Sequence, residues 1–179
     1  QRLYFLSSME GWALGVKNEQ VEPFVQTRCA AYYTGDGGET WIEKYSPDLQ
    51  FVFTDMDFTD QNHGCLVGFA SKSSENGGSI FMTSDGGENW QRKGEDKVLW
   101  QGDFIDSLRG DAIGGDYAAA WGPPVLRTMD GGASWQKIRM EEHNSQGIYG
   151  LAVFEDRVLG LGDKGYLVRS IDPWGDYGE

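Results

Sequence analysis

The sequence predicts an all-β fold assembled from consecutive four-stranded antiparallel units, and three observations predict it. A Thr-x-Asp-Gly-Gly-x-x-Trp motif returns at intervals in the forties. A Gly-x-x-x-Gly motif returns in phase with it. Glycine is abundant at 26 residues and aromatics make up 13% of the chain, while proline numbers only 5. That balance fits short strands joined by tight turns and argues against a disordered Pro/Gly tract.

The first motif reads Thr34-Gly35-Asp36-Gly37-Gly38-Glu39-Thr40-Trp41, then Thr83-Ser84-Asp85-Gly86-Gly87-Glu88-Asn89-Trp90, then Thr128-Met129-Asp130-Gly131-Gly132-Ala133-Ser134-Trp135. A decayed copy runs from Ser170 through Asp172 to Tyr177. The second motif is Gly11-Trp12-Ala13-Leu14-Gly15, Gly64-Cys65-Leu66-Val67-Gly68 and Gly110-Asp111-Ala112-Ile113-Gly114. Asp156-Arg157-Val158-Leu159-Gly160 is expected to be its fourth copy, without the first glycine. Phe5, Phe58 and Phe104 stand six residues before the first three copies, and Phe154 is expected in that role in the last. A period in the forties suits a β-propeller blade. The expected blades cover about 1–47, 48–96, 97–141 and 142–179.

Each blade then reads as strands A to D. Strand A ends near the Phe, over Leu3–Ser7, Val52–Phe58, Trp100–Ile105 and Tyr149–Phe154. Strand B carries the Gly-x-x-x-Gly, whose small residues allow close approach near a crowded axis. Strand C enters the Asp motif, over Ala30–Thr34, Ile80–Thr83, Val125–Thr128 and Tyr166–Ser170. Strand D starts at the Trp and carries basic residues: Lys44, then Arg92 and Lys93, then Lys137 and Arg139. Charges on an outer edge discourage pairing with other sheets, and no other role is expected of them.

The turn from C to D must reverse the chain tightly. An Asp side chain accepts hydrogen bonds from nearby backbone N–H groups, and glycine tolerates φ > 0 without steric penalty. The Trp packs its ring between sheets and gives its N–H to a carbonyl. Asp36, Asp85, Asp130 and Asp172, with Trp41, Trp90 and Trp135, are therefore expected to be structural. One aspartate per blade cannot make a catalytic pair. A calcium site is the sharper alternative, because such a turn offers several oxygens.

These residues resemble the BNR/Asp-box repeat, Ser/Thr-x-Asp-x-Gly-x-x-Trp. Three copies match fully; in the fourth, Pro173 and Trp174 replace the glycines. The Phe…Gly-Trp-Ala-Leu-Gly half resembles the photosystem II assembly/stability factor-like branch of these propellers. The resemblance implies six or seven blades round a central channel, and this chain holds fewer than four complete ones. It is expected to be part of a longer propeller or to be completed by a second chain; a small four-bladed closure is the alternative. The same repeat serves sialidases, other glycosidases, sorting receptors and assembly factors, so it specifies fold far more than function.

The formal charge of −13 repels phosphate backbones, so nucleic acid is not an expected partner. No apolar stretch reaches the ~20 residues of a membrane span. No signal peptide is visible, and a start at Gln1 suggests a processed or excised product. Cys29 and Cys65 could form a disulfide or stay as buried thiols. No metal-ligand spacing links them to His63 and His143, and neither His lies in a nucleophile motif.

No catalytic residue and no cofactor are expected. The sialidase branch needs an arginine cluster, a Tyr-Glu pair and an acid/base Asp, and Arg127 and Arg169 read instead as repeat residues. Binding is expected on the rim of the B–C loops, Asn18–Thr27, Ser71–Gly78 and Tyr117–Pro124. Phe24, Tyr117 and Trp121 are the candidate contacts, since aromatics in loops suit protein recognition; they could equally fold back over the core. The expected function is a non-enzymatic protein-binding module, an assembly or stability factor or accessory subunit of a membrane-associated complex. A periplasmic or extracellular location is expected with it. The alternative is a carbohydrate-active, sialidase-like glycosidase whose missing blades carry the chemistry.

Overall fold

Alternating apolar and small residues between Gly-rich turns leave the chain one economical arrangement, short antiparallel strands that stack sheet on sheet. A computed structural model describes residues 2–21, 23–47, 51–70, 78–93, 99–114, 125–138, 148–155, 157–162 and 167–170. These residues form four antiparallel sheets and no helix. Sheet 1 holds β1 (Arg2–Phe5), β2 (Gly11–Val21), β3 (Phe24–Thr34) and β4 (Ile42–Tyr45) in sequential order. Sheet 2 holds β5 (Phe51–Phe58), β6 (Gly64–Ala70), β7 (Gly78–Thr83) and β8 (Gln91–Lys93). Sheet 3 holds β9 (Leu99–Phe104), β10 (Gly110–Gly114), β11 (Val125–Thr128) and β12 (Gln136–Ile138). Sheet 4 is three-stranded, with β13 (Ile148–Val153), β14 (Val158–Gly162) and β15 (Leu167–Arg169). The chain is thus an all-β set of propeller blades.

Among the described residues the core is divided rather than single. Apolar side chains fill three seams, each between consecutive sheets. Trp12, Leu14, Cys29 and Ala31 of sheet 1 meet Phe53, Met56, Phe58, Leu66 and Phe81 of sheet 2. Cys65, Val67 and Ile80 of sheet 2 meet Leu99, Phe104, Ala112 and Leu126 of sheet 3. Ile113, Val125 and Ile138 of sheet 3 meet Ile148, Leu151, Val153 and Val158 of sheet 4. Both cysteines are free and buried.

The two outer faces carry the same positions without a neighbour among the described residues. Leu3 corresponds in register to Met56 of sheet 2, yet Leu3 is 70% exposed and Met56 5%. At the other end, Leu161 pairs with Leu167 as Ile113 pairs with Val125. Leu161 and Leu167 are exposed, whereas Ile113 and Val125 are buried. Both end sheets therefore present faces patterned to meet another blade, which suits a partial propeller.

The fourth repeat departs from the expected register. Val153 pairs with Val158 where Phe58 pairs with Gly64 and Phe104 with Gly110. The repeat thus runs Val158-Leu159-Gly160-Leu161-Gly162, two residues beyond the expected frame, and Val153 rather than Phe154 holds the Phe position. Phe154 is exposed. The reason is steric: Phe58 lies against a glycine, and Val158 leaves no room for a ring.

The Asn18–Thr27 stretch, expected as a loop, is a β-ladder. Asn18 pairs with Thr27, Gln20 with Val25 and Val21 with Phe24. β-Branched Val21, Val25 and Thr27 favour extended backbone, and Pro23, which has no N–H to give a ladder, takes the turn.

Candidate functional site

One rim is built from two families of turns. In the C–D turns, Asp36 accepts hydrogen bonds from the Thr40 backbone N–H at 2.9 Å and from the Thr34 hydroxyl at 2.7 Å. Asp85 does the same with Asn89 and Thr83, and Asp130 with Ser134 and Thr128. The second carboxylate oxygen takes the side chain of Thr40, Asn89 or Ser134. The Thr34, Thr83 and Thr128 hydroxyls also accept the Gly38, Gly87 and Gly132 N–H groups at 2.9, 2.9 and 2.8 Å. Both glycines of each turn sit at positive φ, from 67° to 94°, which other residues adopt with strain. These donors hold the carboxyls below the ordinary range, Asp36 at about 2.

Trp41, Trp90 and Trp135 make the same ring contact within their own sheets. Each meets the Phe at the end of its own strand A edge-to-face, at 6.2 Å between ring centroids. Trp90 and Trp135 donate their indole N–H to Gly87 O and Gly132 O, both at 3.1 Å.

The A–B turns repeat as well. Ser7, Asp60 and Asp106 each accept two backbone N–H bonds from the residues just ahead. The expected repeat does not include them; their place two residues after each Phe is the signal that finds them. The two families are tied together, since Gly37, Gly86 and Gly131 donate N–H bonds to Met9 O, Asn62 O and Leu108 O. His63 lies on this rim, with Nδ1 2.9 Å from Asp60 Oδ2.

Strand A of each sheet is its inner edge, with backbone groups left unpaired by the sheet itself. Side chains from the preceding sheet satisfy them. Asp55 accepts from Gly102 N at 3.3 Å, Asp57 from Phe104 N at 2.8 Å and Asp103 from Val153 N at 2.7 Å. Gln101 exchanges two bonds with the Leu151 backbone. Arg2 approaches Asp55 at 3.3 Å, and the Tyr4 hydroxyl donates to Phe58 O. Each of β5, β9 and β13 has a register shift beside these positions, the kind of bulge that re-aims side chains.

This cluster was not among the expected sites; the alternation Asp55-x-Asp57 and Gln101-x-Asp103 is its sequence signal. Burial pushes Asp55 up to about 6, against the pull of Arg2. Burial raises Asp103 to about 6, with the neighbouring Asp57 charge adding to it, and Asp57 is raised by burial too. Chemically the cluster offers carboxylates already engaged by backbone donors.

Other charges are also committed. Asp111 and Arg127 form a buried two-pronged ion pair at 2.8 and 2.9 Å. Lys44, expected only to guard an edge, reaches across to Glu88 of the next sheet, and Arg92 donates to the Ser79 hydroxyl. Among the described residues, no group of three or more His, Cys, Asp or Glu converges as a metal site, and no helix is long and apolar enough to cross a membrane.

Of the expected binding residues, Phe24 opens β3 opposite Val21, on a ladder rather than a loop. Tyr117 and Trp121 lie outside the described residues, as do Asp172, the Ser71–Gly77 part of the second loop, His143 and Arg139. The three candidate contacts are therefore not brought together by what is described.

A family model described as photosynthesis system II assembly factor YCF48 matches residues 40–145. No curated protein matches the chain. Among solved structures, YCF48 from Cyanidioschyzon merolae is similar with a TM-score of 0.53 and 22% identity, over 69% of this chain and 35% of that one. A GH74 xyloglucanase from Xanthomonas campestris gives 0.57 at 12% identity, over 84% and 26%. A protein of unknown function from Dyadobacter fermentans gives 0.61 at 15% identity, over 94% and 51%. The chain therefore spans between about a quarter and a half of these structures' own lengths. At such identities the likeness shows the fold.

Proposed function

Because the chain belongs to the photosynthesis system II assembly factor YCF48 family, we propose that it is a non-enzymatic protein-binding module, an assembly or stability factor of a membrane-associated complex. The family match over residues 40–145 carries this reading. It takes in the Asp85 and Asp130 turns and all of sheets 2 and 3. The geometry is in keeping with it. The aspartates of the three turns spend their oxygens on their own loops, and the inner carboxylates cap the backbone of the next sheet. The glycosidase alternative is not better supported, since the xyloglucanase shares the fold at an identity too low to carry chemistry. A periplasmic or extracellular location is part of the proposal and is checked by cell fractionation.

The test is co-purification. The tagged protein is mixed with solubilised photosystem II assembly intermediates and recovered. Retention of a photosystem II subunit at stoichiometric yield is expected. Recovery of the protein with none of these subunits would overturn the reading.

A further inference from the structure

The turns of the Asp-motif rim share one backbone and differ in what they expose. The carbonyls of Asn62 and Leu108 accept the Gly86 and Gly131 N–H groups. Thr59 and Phe154 open the A–B turns of sheets 2 and 4 by donating to His63 O and Arg157 O. Ser84 and Met129 stand just before Asp85 and Asp130. Sheet 2 thus closes these turns with Thr59, Asn62 and Ser84, where sheets 3 and 4 carry Phe154, Leu108 and Met129 at the matching points. The fold needs no apolar side chain there, yet Leu108 is 56% exposed, Met129 53% and Phe154 45%. Leu108 Cδ2 comes within 3.9 Å of where a Cβ on Gly131 would stand, so its side chain lies against the turn that carries Met129. Phe154 belongs to the adjoining sheet.

Carboxylates share these turns. Asp106 and Asp130 lie in the two turns of sheet 3, and Glu155 follows Phe154 and is exposed. Asp36, Asp60, Asp85 and Asp130 sit below the ordinary carboxylate range, held there first by bonds from the side chains of Thr40, His63, Asn89 and Ser134. They are ionised at neutral pH. Two cations share this stretch: Arg109 binds Asp106 at 2.7 Å, and Arg157 stands 6.0 Å from the centre of the Phe154 ring. Asp130 accepts three bonds from Thr128 and Ser134. A carboxylate has about four acceptor sites, so one is left for an outside donor. With a formal charge of −13, the chain repels acidic polypeptides and anionic lipid alike and attracts basic polypeptides.

We propose that the rim of sheets 3 and 4 docks a basic segment of a partner polypeptide, one in which lysine or arginine is interspersed with apolar residues. The apolar side chains of the segment cover Leu108, Met129 and Phe154, and its cations meet Asp130 and Glu155. Docking then uses the rim opposite the B–C loops, where Phe24, Tyr117 and Trp121 were expected to act. The proposal rests on the protein-binding reading and gives it a surface and a partner chemistry.

The test is calorimetric titration of the full chain with peptides built from Lys-Leu-Leu-Lys, Lys-Ser-Ser-Lys and Glu-Leu-Leu-Glu repeats. The first is expected to bind, more weakly as salt rises, and the other two to bind at least roughly tenfold less tightly. Leu108→Asn combined with Met129→Ser installs the residues that sheet 2 carries in the same turns. It should weaken the Lys-Leu-Leu-Lys peptide roughly tenfold or more while leaving the melting transition in place. Glu155→Lys should weaken it as well. Leu3→Ser, on the outer face of sheet 1, should leave binding unchanged. A Lys-Leu-Leu-Lys peptide that fails to bind, or that binds the double variant as tightly as the unaltered chain, would overturn the surface. Equal binding of the Lys-Ser-Ser-Lys peptide would show charge acting alone and would overturn it too. Photosystem II subunits recovered equally by the unaltered chain and the double variant would remove this surface and leave the protein-binding reading standing. Recovery by neither would remove the reading itself.

Discussion

The ring of Phe58 fills the space that a side chain on Gly64 would need: a Cβ there would stand 2.3 and 2.4 Å from two ring carbons. Phe104 and Gly110 repeat the relationship at 2.4 Å, Phe5 and Gly11 at 2.7 Å. Sheet 4 replaces both members at once, with Val153 opposite Val158. Gly64→Ala should therefore destabilise the chain by about 1–3 kcal/mol through overpacking. The Phe58→Val, Gly64→Val double variant should lose less than the sum of its singles, with a coupling of about 0.5–3 kcal/mol. Urea denaturation of the four proteins measures this, and additive losses would show that the two positions do not share one space.

The inner carboxylates give stability a pH dependence of defined sign. Asp55 and Asp103 are raised to about 6 in the folded chain, from an ordinary value of 3.8. The folded state thus binds protons more tightly than the unfolded one. Their contribution is fully present below about pH 4 and is lost as pH rises through about 6. The turn carboxyls are depressed and act the other way, losing their contribution as pH falls below about 4. Stability should peak between about pH 4 and 5. Asp103→Asn keeps an oxygen for the Val153 N–H and removes the buried charge, so it should raise the urea midpoint at pH 7 and flatten the fall between about pH 4 and 6. An unchanged slope would sink the assignment.

The blades were legible in the sequence because their cause is local. An Asp, two glycines at positive φ and a Trp specify a turn within eight residues, and the structure forms it three times from Thr34, Thr83 and Thr128. What escaped was set between sheets. The bond from Phe104 N–H to Asp57 joins positions 47 residues apart, and nothing near Asp57 marks it as the cap of another blade's edge. The fourth repeat misled for a related reason. Its glycine and Phe changed together, so matching on either residue alone shifts the frame. The Asn18–Thr27 ladder was hidden by polar residues that satisfy a projecting hairpin as well as they do a loop.

The buried threonine of each turn offers an independent check. Thr83 is 4% exposed, accepts the Gly87 N–H at 2.9 Å and donates to Asp85 at 2.9 Å. Thr83→Val keeps the shape and strands that N–H, so it should cost about 1–3 kcal/mol, while Thr83→Ser should keep most of the stability. Thr128→Val should behave alike, since Thr128 holds Gly132 in the same way. A neutral Thr83→Val in thermal melts would show that the hydroxyl is dispensable to the turn.

The tryptophans separate a blade's own turn from its stacking on a neighbour. Trp90 and Trp41 meet the same Phe edge at the same distance. Trp90 also packs against Trp12 and Tyr45 of sheet 1, whereas Trp41 is 36% exposed on the outer face. If the seams hold the chain together, Trp90→Ala should lose about 3–5 kcal/mol, as expected for a large aromatic removed from a packed site. Trp41→Ala should lose less than half as much, because it gives up contacts within one sheet only. Equal losses in urea unfolding would mean that the turn alone sets the role of the tryptophan and that stacking between blades adds little.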